Sequence, residues 1–253
     1  MKGKKNIMQN KIAMFLLGAT LAFGLALSAY IIGQAAVKVS KNNNIRVKGS
    51  AMREVESDFA HWSGTYSVRN ASQQVAIDQL ENAKKNVEKY LFDEGISKDE
   101  ISFGRIYSEP MFETHTDAKG NRYSKFVYYQ LKQSVFIASK KVYKVEKISR
   151  ESTLLIKKGF GFSSDTPSYT ILDLDKFKME LLAEATKNAS DRAEILAKNA
   201  KGKVGSLIHA SQGVFQITAP ASSDISSYGE YDKTTIKKEV KAVVTLEFTV
   251  ETP

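Results

Sequence analysis

Apolar and polar positions change their period several times along this chain, and each change marks an element. From Ile12 to Ile32 the run IAMFLLGATLAFGLALSAYII carries no charge. As a helix rising about 1.5 Å per residue it extends roughly 30 Å, the thickness of a bilayer's hydrocarbon core. Lys2, Lys4, Lys5 and Lys11 precede it, and the positive-inside bias puts that end in the cytoplasm and everything after Gly33 outside. The pattern predicts a basic cytoplasmic N-terminus (1–11), a transmembrane signal anchor (12–32), a polar juxtamembrane linker (33–44) and an extracytoplasmic domain (45–251). Small residues at Ala26 and Ser28, or at Gly33 and Ala35, also suit removal by a signal peptidase. The apolar run exceeds the roughly 7 to 15 residues of such a signal, so a retained anchor is the reading and a cleaved periplasmic form the alternative.

After the linker the period shortens to two. Ile45 and Val47 give a short strand, Gly49 a break, and the segment from about Ser57 to Arg69, with Phe59, Trp62, Tyr66 and Val68, a longer strand. The period then lengthens. Asn70 or Ser72 caps a helix whose inner stripe is Ile77, Leu80, Lys84, Val87 and Leu91, with Glu81, Lys85, Glu88 and Lys89 outside and Gly95 as its stop. Ser97 and Glu100 have capping-box spacing. Two strands follow, ISFGRIYSEPMF (101–112) and RYSKFVYYQLKQSVFIAS (122–139), joined by a polar hairpin loop with Asp117 and Gly120 as turn residues. A helix over 139–158 buries Val142, Val145, Ile148 and Leu155 and ends at Gly159.

The order then repeats: a strand over 160–172, a long helix over 176–201, and strands over 204–217 and 235–250. The long helix is expected to bury Leu182, Ala185, Ala189, Ala193, Leu196 and Ala200, because alanine lets its axis approach a neighbour closely. In the last strand Ile236, Val240, Ala242, Val244, Leu246, Phe248 and Val250 share a face. Two β-α-β-β units joined by a helix predict an α+β fold, a mainly antiparallel sheet with helices packed on one face. The Ser-rich loop TAPASSDISSYGEYDK reads as a long, mobile connection.

Composition changes this picture only in places. The charge of +9 drops to +5, 33 basic against 28 acidic residues, once the four N-terminal lysines are set aside. Without an arginine-rich run or an interleaved aromatic and basic ladder, no nucleic-acid partner is indicated. The absence of cysteine excludes disulfides, thiolate metal sites and thiol nucleophiles.

The stretch MELLAEATKNASDRAEILAKNAKGKVGSLIHASQGVFQI, with its alanine-rich helix leading through glycines into a strand, resembles the C-terminal half of the SIMPL domain family. IRVKGSAMREVESDFAHWSGTYSV is similar to that family's opening, and GISKDEISFGRIYSEPMF to its middle. The membrane-spanning N-terminus resembles one branch of the family. The resemblance implies export to a bacterial cell envelope, a tendency to oligomerise and, in some members, a role in tolerance of oxidative or envelope stress. It implies no agreed active-site residues.

Chemistry is sparse. His61, His115 and His209 lack the spacing of a helical metal site, and GFGFSS is not a phosphate-binding glycine motif. Glu54, Glu56 and Asp58 lie close in sequence to His61 and Trp62, but alternation in a strand sends neighbours to opposite faces. Met111 and the tyrosines of FVYYQ are candidate oxidant-sensitive groups. Asn70 and Asn188 stand in N-A-S sequons. The expectation is therefore a membrane-anchored domain acting non-enzymatically as an oligomeric scaffold or binding module, held in the lipid bilayer through residues 12–32. Its expected partners are further copies of itself or an envelope protein, with no catalytic, metal or cofactor residue assigned. The alternatives are a periplasmic hydrolase using the carboxylates with His61, and a binder of anionic lipid or envelope polymer.

Overall fold

A computed structural model of the chain describes residues 2–40, 43–222 and 226–251. Met1 of the expected N-terminus, Lys41 and Asn42 of the expected linker, and residues 223–225 of the Ser-rich loop lie outside the described residues. Helix α1 spans Lys2–Ser40. Within it Met14–Gln34 is long and apolar enough to cross a membrane, with mean hydropathy 2.1 and none of its surface buried. The helix continues through residues 33–40, which the polarity pattern placed in a linker. After Gly33 that stretch has neither proline nor glycine, and its Gln, Ala and Lys residues favour helix.

The elements that follow are β1 (Asn44–Glu56), β2 (Phe59–Asn70), α2 (Gln73–Asp93), β3 (Ile101–Thr116), β4 (Arg122–Ser139), α3 (Val142–Glu151), β5 (Gly161–Ser164) and β6 (Ser168–Thr170). Then come α4 (Leu174–Asn199), β7 (Lys203–Gln212), β8 (Gln216–Thr218), β9 (Glu230–Tyr231) and β10 (Lys237–Glu251), with short 3-10 turns at Lys98–Glu100 and Ser152–Lys158. The fold is α+β and its strands form two five-stranded sheets. One has the order β1-β10-β8-β9 with β7 also on β10; the other has the order β3-β4-β2-β5 with β6 also on β2. The ladders of β10 with β7 and β8, of β2 with β4, β5 and β6, and of β3 with β4 are antiparallel, and that of β8 with β9 is parallel.

The repeat is present in an exchanged form. The segment just before α4 splits around Pro167 into β5 and β6, and both pair with β2 of the other sheet. The strand beside β10 is instead β1, from the start of the domain. The first set keeps β2 beside β4 and adds β5 and β6, whereas the second takes β1 in place of the strand expected just before α4.

The chain divides into two compact units. One comprises residues 50–185 and 213–243, the other residues 1–49, 186–212 and 244–253. In the former, α2 and α3 pack on β2 and β4 over a core of Trp62, Tyr66, Leu80, Val87, Leu91, Leu131, Val135, Ile137, Val145 and Ile148. The predicted inner stripes of α2 and α3 hold at Leu80, Val87, Leu91, Val142, Val145, Ile148 and Leu155. Lys84 is the exception: its ammonium sits 4.6 Å from the centre of the Phe103 ring, a cation against an aromatic face. Gly64 makes room for the stacked Trp62 and Phe162, since a Cβ there would lie 2.6 Å from the Phe162 ring. Trp62 donates its indole N–H to Ser164 Oγ at 3.0 Å.

In the other unit β7 lies along the C-terminal half of β10, from Val244 opposite Gln212 to Glu251 opposite Lys203. The buried line of α4 is Leu181, Ala185, Ala189, Ala193 and Ala197. Leu182 and Ala200 are not part of it, and Leu196 is 52% exposed. Every step of the observed line is four residues, so the buried row is one ridge of the helix surface, whereas the expectation mixed steps of three and four.

Candidate functional site

The carboxylates and the histidine singled out by sequence do not converge. Glu54 and Glu56 are exposed on β1, and Glu56 faces Lys237 at 3.9 Å. Asp58 is a structural acceptor: its Oδ1 takes the Leu172 backbone N–H at 2.8 Å while its own N–H donates to the Thr170 carbonyl. His61, exposed on β2, meets the edge of Phe59 with ring centroids 4.9 Å apart. No carboxylate among the described residues is within ion-pair distance of it. His209 stands opposite Glu247 on an exposed stretch of β7. Among the described residues no three His, Asp or Glu side chains gather as metal ligands.

Charged groups do converge at two clasps. In the first, Glu100 accepts from the Ser97 backbone N–H at 2.7 Å, from Ser139 Oγ at 2.6 Å and from Lys141 Nζ at 2.8 Å. Burial pushes the carboxyl up, but these donors outweigh it and hold it at about 2. The capping-box spacing of Ser97 and Glu100 was legible; the lysine that completes the clasp was not. In the second, Lys238 occupies the inward face of β10 and is fully buried. Its ammonium donates to the Asp232 carbonyl at 2.6 Å, the Thr235 carbonyl at 2.7 Å and Asp232 Oδ2 at 3.4 Å. Burial lowers the lysine's pKa against the opposing pull of Asp232. Asp232, itself pushed up by burial, is drawn well below the usual carboxylate range by Thr235, Thr234 and Lys238. The parity of Ile236, Lys238 and Val240 on one strand is the signal that could have found this residue. Both clasps fasten turns to strands, and each has all its donors and acceptors engaged internally.

One surface feature with spare binding capacity is the β3–β4 hairpin. β2 covers β4 only as far as the Asn70 and Tyr129 pair. Beyond it, residues 122–128 of β4 pair with β3 alone, a two-stranded ribbon about 24 Å long at 3.4 Å per residue. Burial alternates along β4 from Leu131 to Ser139 and is absent from Arg122 to Phe126. Phe112 is 57% exposed and Tyr123 54%; His115 stacks on Tyr123, and Phe112 meets Phe126 edge on. Met111 lies opposite Tyr128, next to a register shift that bulges the ribbon. Among the described residues no further strand pairs with the arm's outer edges, and its charges divide by strand, the acid Glu113 on β3 and the bases Arg122 and Lys125 on β4, with Glu113 opposite Lys125.

The family model SIMPL, described as a protein of unknown function (DUF541), matches residues 45–248. The chain belongs to the SIMPL family. The match begins after the apolar helix. No curated protein matches the chain. The candidate oxidant-sensitive residues of this SIMPL domain, Met111, Tyr128 and Tyr129, all lie on the β3–β4 hairpin.

Proposed function

We propose that this SIMPL protein is a membrane-anchored, extracytoplasmic assembly module, in which α1 tethers the chain to the bilayer and the β3–β4 arm joins copies of it. The observation that carries this reading is the arm: aromatic side chains on a two-stranded ribbon, without a covering layer and with free edges. An isolated two-stranded ribbon is at best marginally stable in water, and exposed strand edges pair readily with other strands. Because the arm carries its acid, Glu113, on β3 and its bases, Arg122 and Lys125, on β4, a second copy in a two-fold arrangement sets the acidic strand of one arm against the basic strand of the other. The role is non-enzymatic, in keeping with the dispersal of His61 from Glu54, Glu56 and Asp58. A place in envelope stress tolerance is consistent with Met111 on the arm beside Phe112, where oxidation alters packing.

Light scattering on the full chain in non-ionic detergent micelles tests this. The expected result is a multimer that the paired Phe112→Ser and Phe126→Ser substitutions convert to monomer, with an unchanged far-ultraviolet circular dichroism spectrum. A wild-type chain that stays monomeric at high concentration, or a doubly substituted chain of undiminished mass, would contradict the reading.

A further inference from the structure

A cavity of about 560 Å³, with no histidine in its lining, opens between the end of β2, helix α2 and the turn leading into β5. Its size is within the range of small-molecule sites. Three amide side chains line one wall: Gln79, Asn82 and Asn86, at helical spacing on α2 beside the stripe of Ala76, Leu80, Ala83 and Val87 that faces the core. Arg69, at the end of β2, and Lys158, at the end of the 3-10 turn, supply two positive charges, and Phe160 forms an apolar floor. Gly159 takes φ of +92°, the left-handed conformation that turns the chain from Lys158 into the floor.

Two properties of this lining fix the ligand class. No acidic side chain contributes to it, and neither Arg69 nor Lys158 forms an ion pair among the described residues. Arg69 instead rests on the face of Tyr128, 5.4 Å from the ring centre, which leaves its guanidinium edge available as a planar donor. Side-chain amides donate and accept at once and so match vicinal hydroxyls, which do the same. Paired cations match a carboxylate or phosphate.

We propose that this cavity binds an anionic sugar, a ring whose hydroxyls meet Gln79, Asn82 and Asn86 and whose carboxylate or phosphate sits between Arg69 and Lys158. The free-phosphate and neutral-sugar chemistries each satisfy only half of the lining.

Isothermal titration calorimetry on the full chain in non-ionic micelles, with glucuronate, glucose 6-phosphate, glucose and inorganic phosphate as probes, tests the assignment. At least one anionic sugar is expected to bind about tenfold more tightly than both glucose and phosphate, since a charge-assisted contact and the amide contacts act together. Whichever of glucuronate and glucose 6-phosphate binds more tightly identifies the acidic group. Arg69→Gln, Lys158→Gln and Asn82→Leu should each weaken that binding about three- to tenfold, while Lys85→Gln, on the outer face of the same helix, leaves it unchanged. Equal binding of inorganic phosphate, equal binding of glucose, no binding of either anionic sugar, or affinity indifferent to the three cavity substitutions would each overturn the proposal.

Discussion

One hairpin joins strand surface packed into a core to strand surface left open to solvent. From Leu131 to Ser139, β4 is flanked by β2 and β3 and covered by helices, and Leu131, Val135 and Ile137 are fully buried. From Arg122 to Tyr128 the same strand pairs with β3 alone, and it is exposed as far as Phe126. The two halves are alike in β-forming residues, including Phe and Tyr in one and Val, Phe and Ile in the other. What differs is the reach of β2, which ends at Asn70. Strand composition therefore reports that a segment pairs, whereas burial depends on the length of its neighbours.

Substitutions that separate the two halves have a clear order of size. Leu131→Ala, in the covered half, should cost about 3 to 4 kcal/mol in a urea titration, a cavity in a packed core. Lys238→Ala is next, at about 3 kcal/mol, because it leaves the Asp232 carboxylate and two carbonyls without their buried partner; a near-neutral result would show that water replaces the ammonium. Glu100→Gln should cost about 1 kcal/mol at neutral pH, mainly through the weakened contact with Lys141. The Glu100 carboxyl titrates lower in the folded chain than its ordinary 4.5, so its stabilisation is present above that value and fades as the pH falls toward 2. Stability measured between pH 7 and pH 2.5 should accordingly decline less steeply in Glu100→Gln than in the parent. Phe126→Ser, in the uncovered half, should change monomer stability by less than about 1 kcal/mol. A loss comparable to that of Leu131→Ala would erase the distinction between the halves.

Much of the fold was readable from periodicity. Ser72 as cap, the stripe through Leu80, Val87 and Leu91, the stop at Gly159 and the apolar face of β10 depend on neighbours a few residues away, which sequence displays directly. The exchange of β1 with β5 and β6 was not readable, because alternation assigns a strand its faces and leaves its partner open. Lys238 was concealed by its own type, since a lysine on an apolar face reads as an interruption until the Asp232 and Thr235 oxygens are seen around it. The cavity was concealed differently: Arg69, Gln79, Asn82, Asn86 and Lys158 are ordinary surface residues in sequence, and only the packing of α2 against β2 assembles them. His61 shows the converse. Its closeness to Glu56 and Asp58 in sequence is undone where β1 ends and β2 begins.

The chain contains no cysteine, so single cysteines carry spin labels without background. Dipolar spectroscopy on the full chain labelled at Ser124→Cys on the arm, with Lys98→Cys as the comparison site, tests most directly whether copies meet through the arm. The account predicts a defined, short distance between labels of neighbouring copies at position 124, abolished by Phe112→Ser. Absence of coupling at position 124 in a chain that is nevertheless multimeric would contradict it, by placing the joining surface elsewhere.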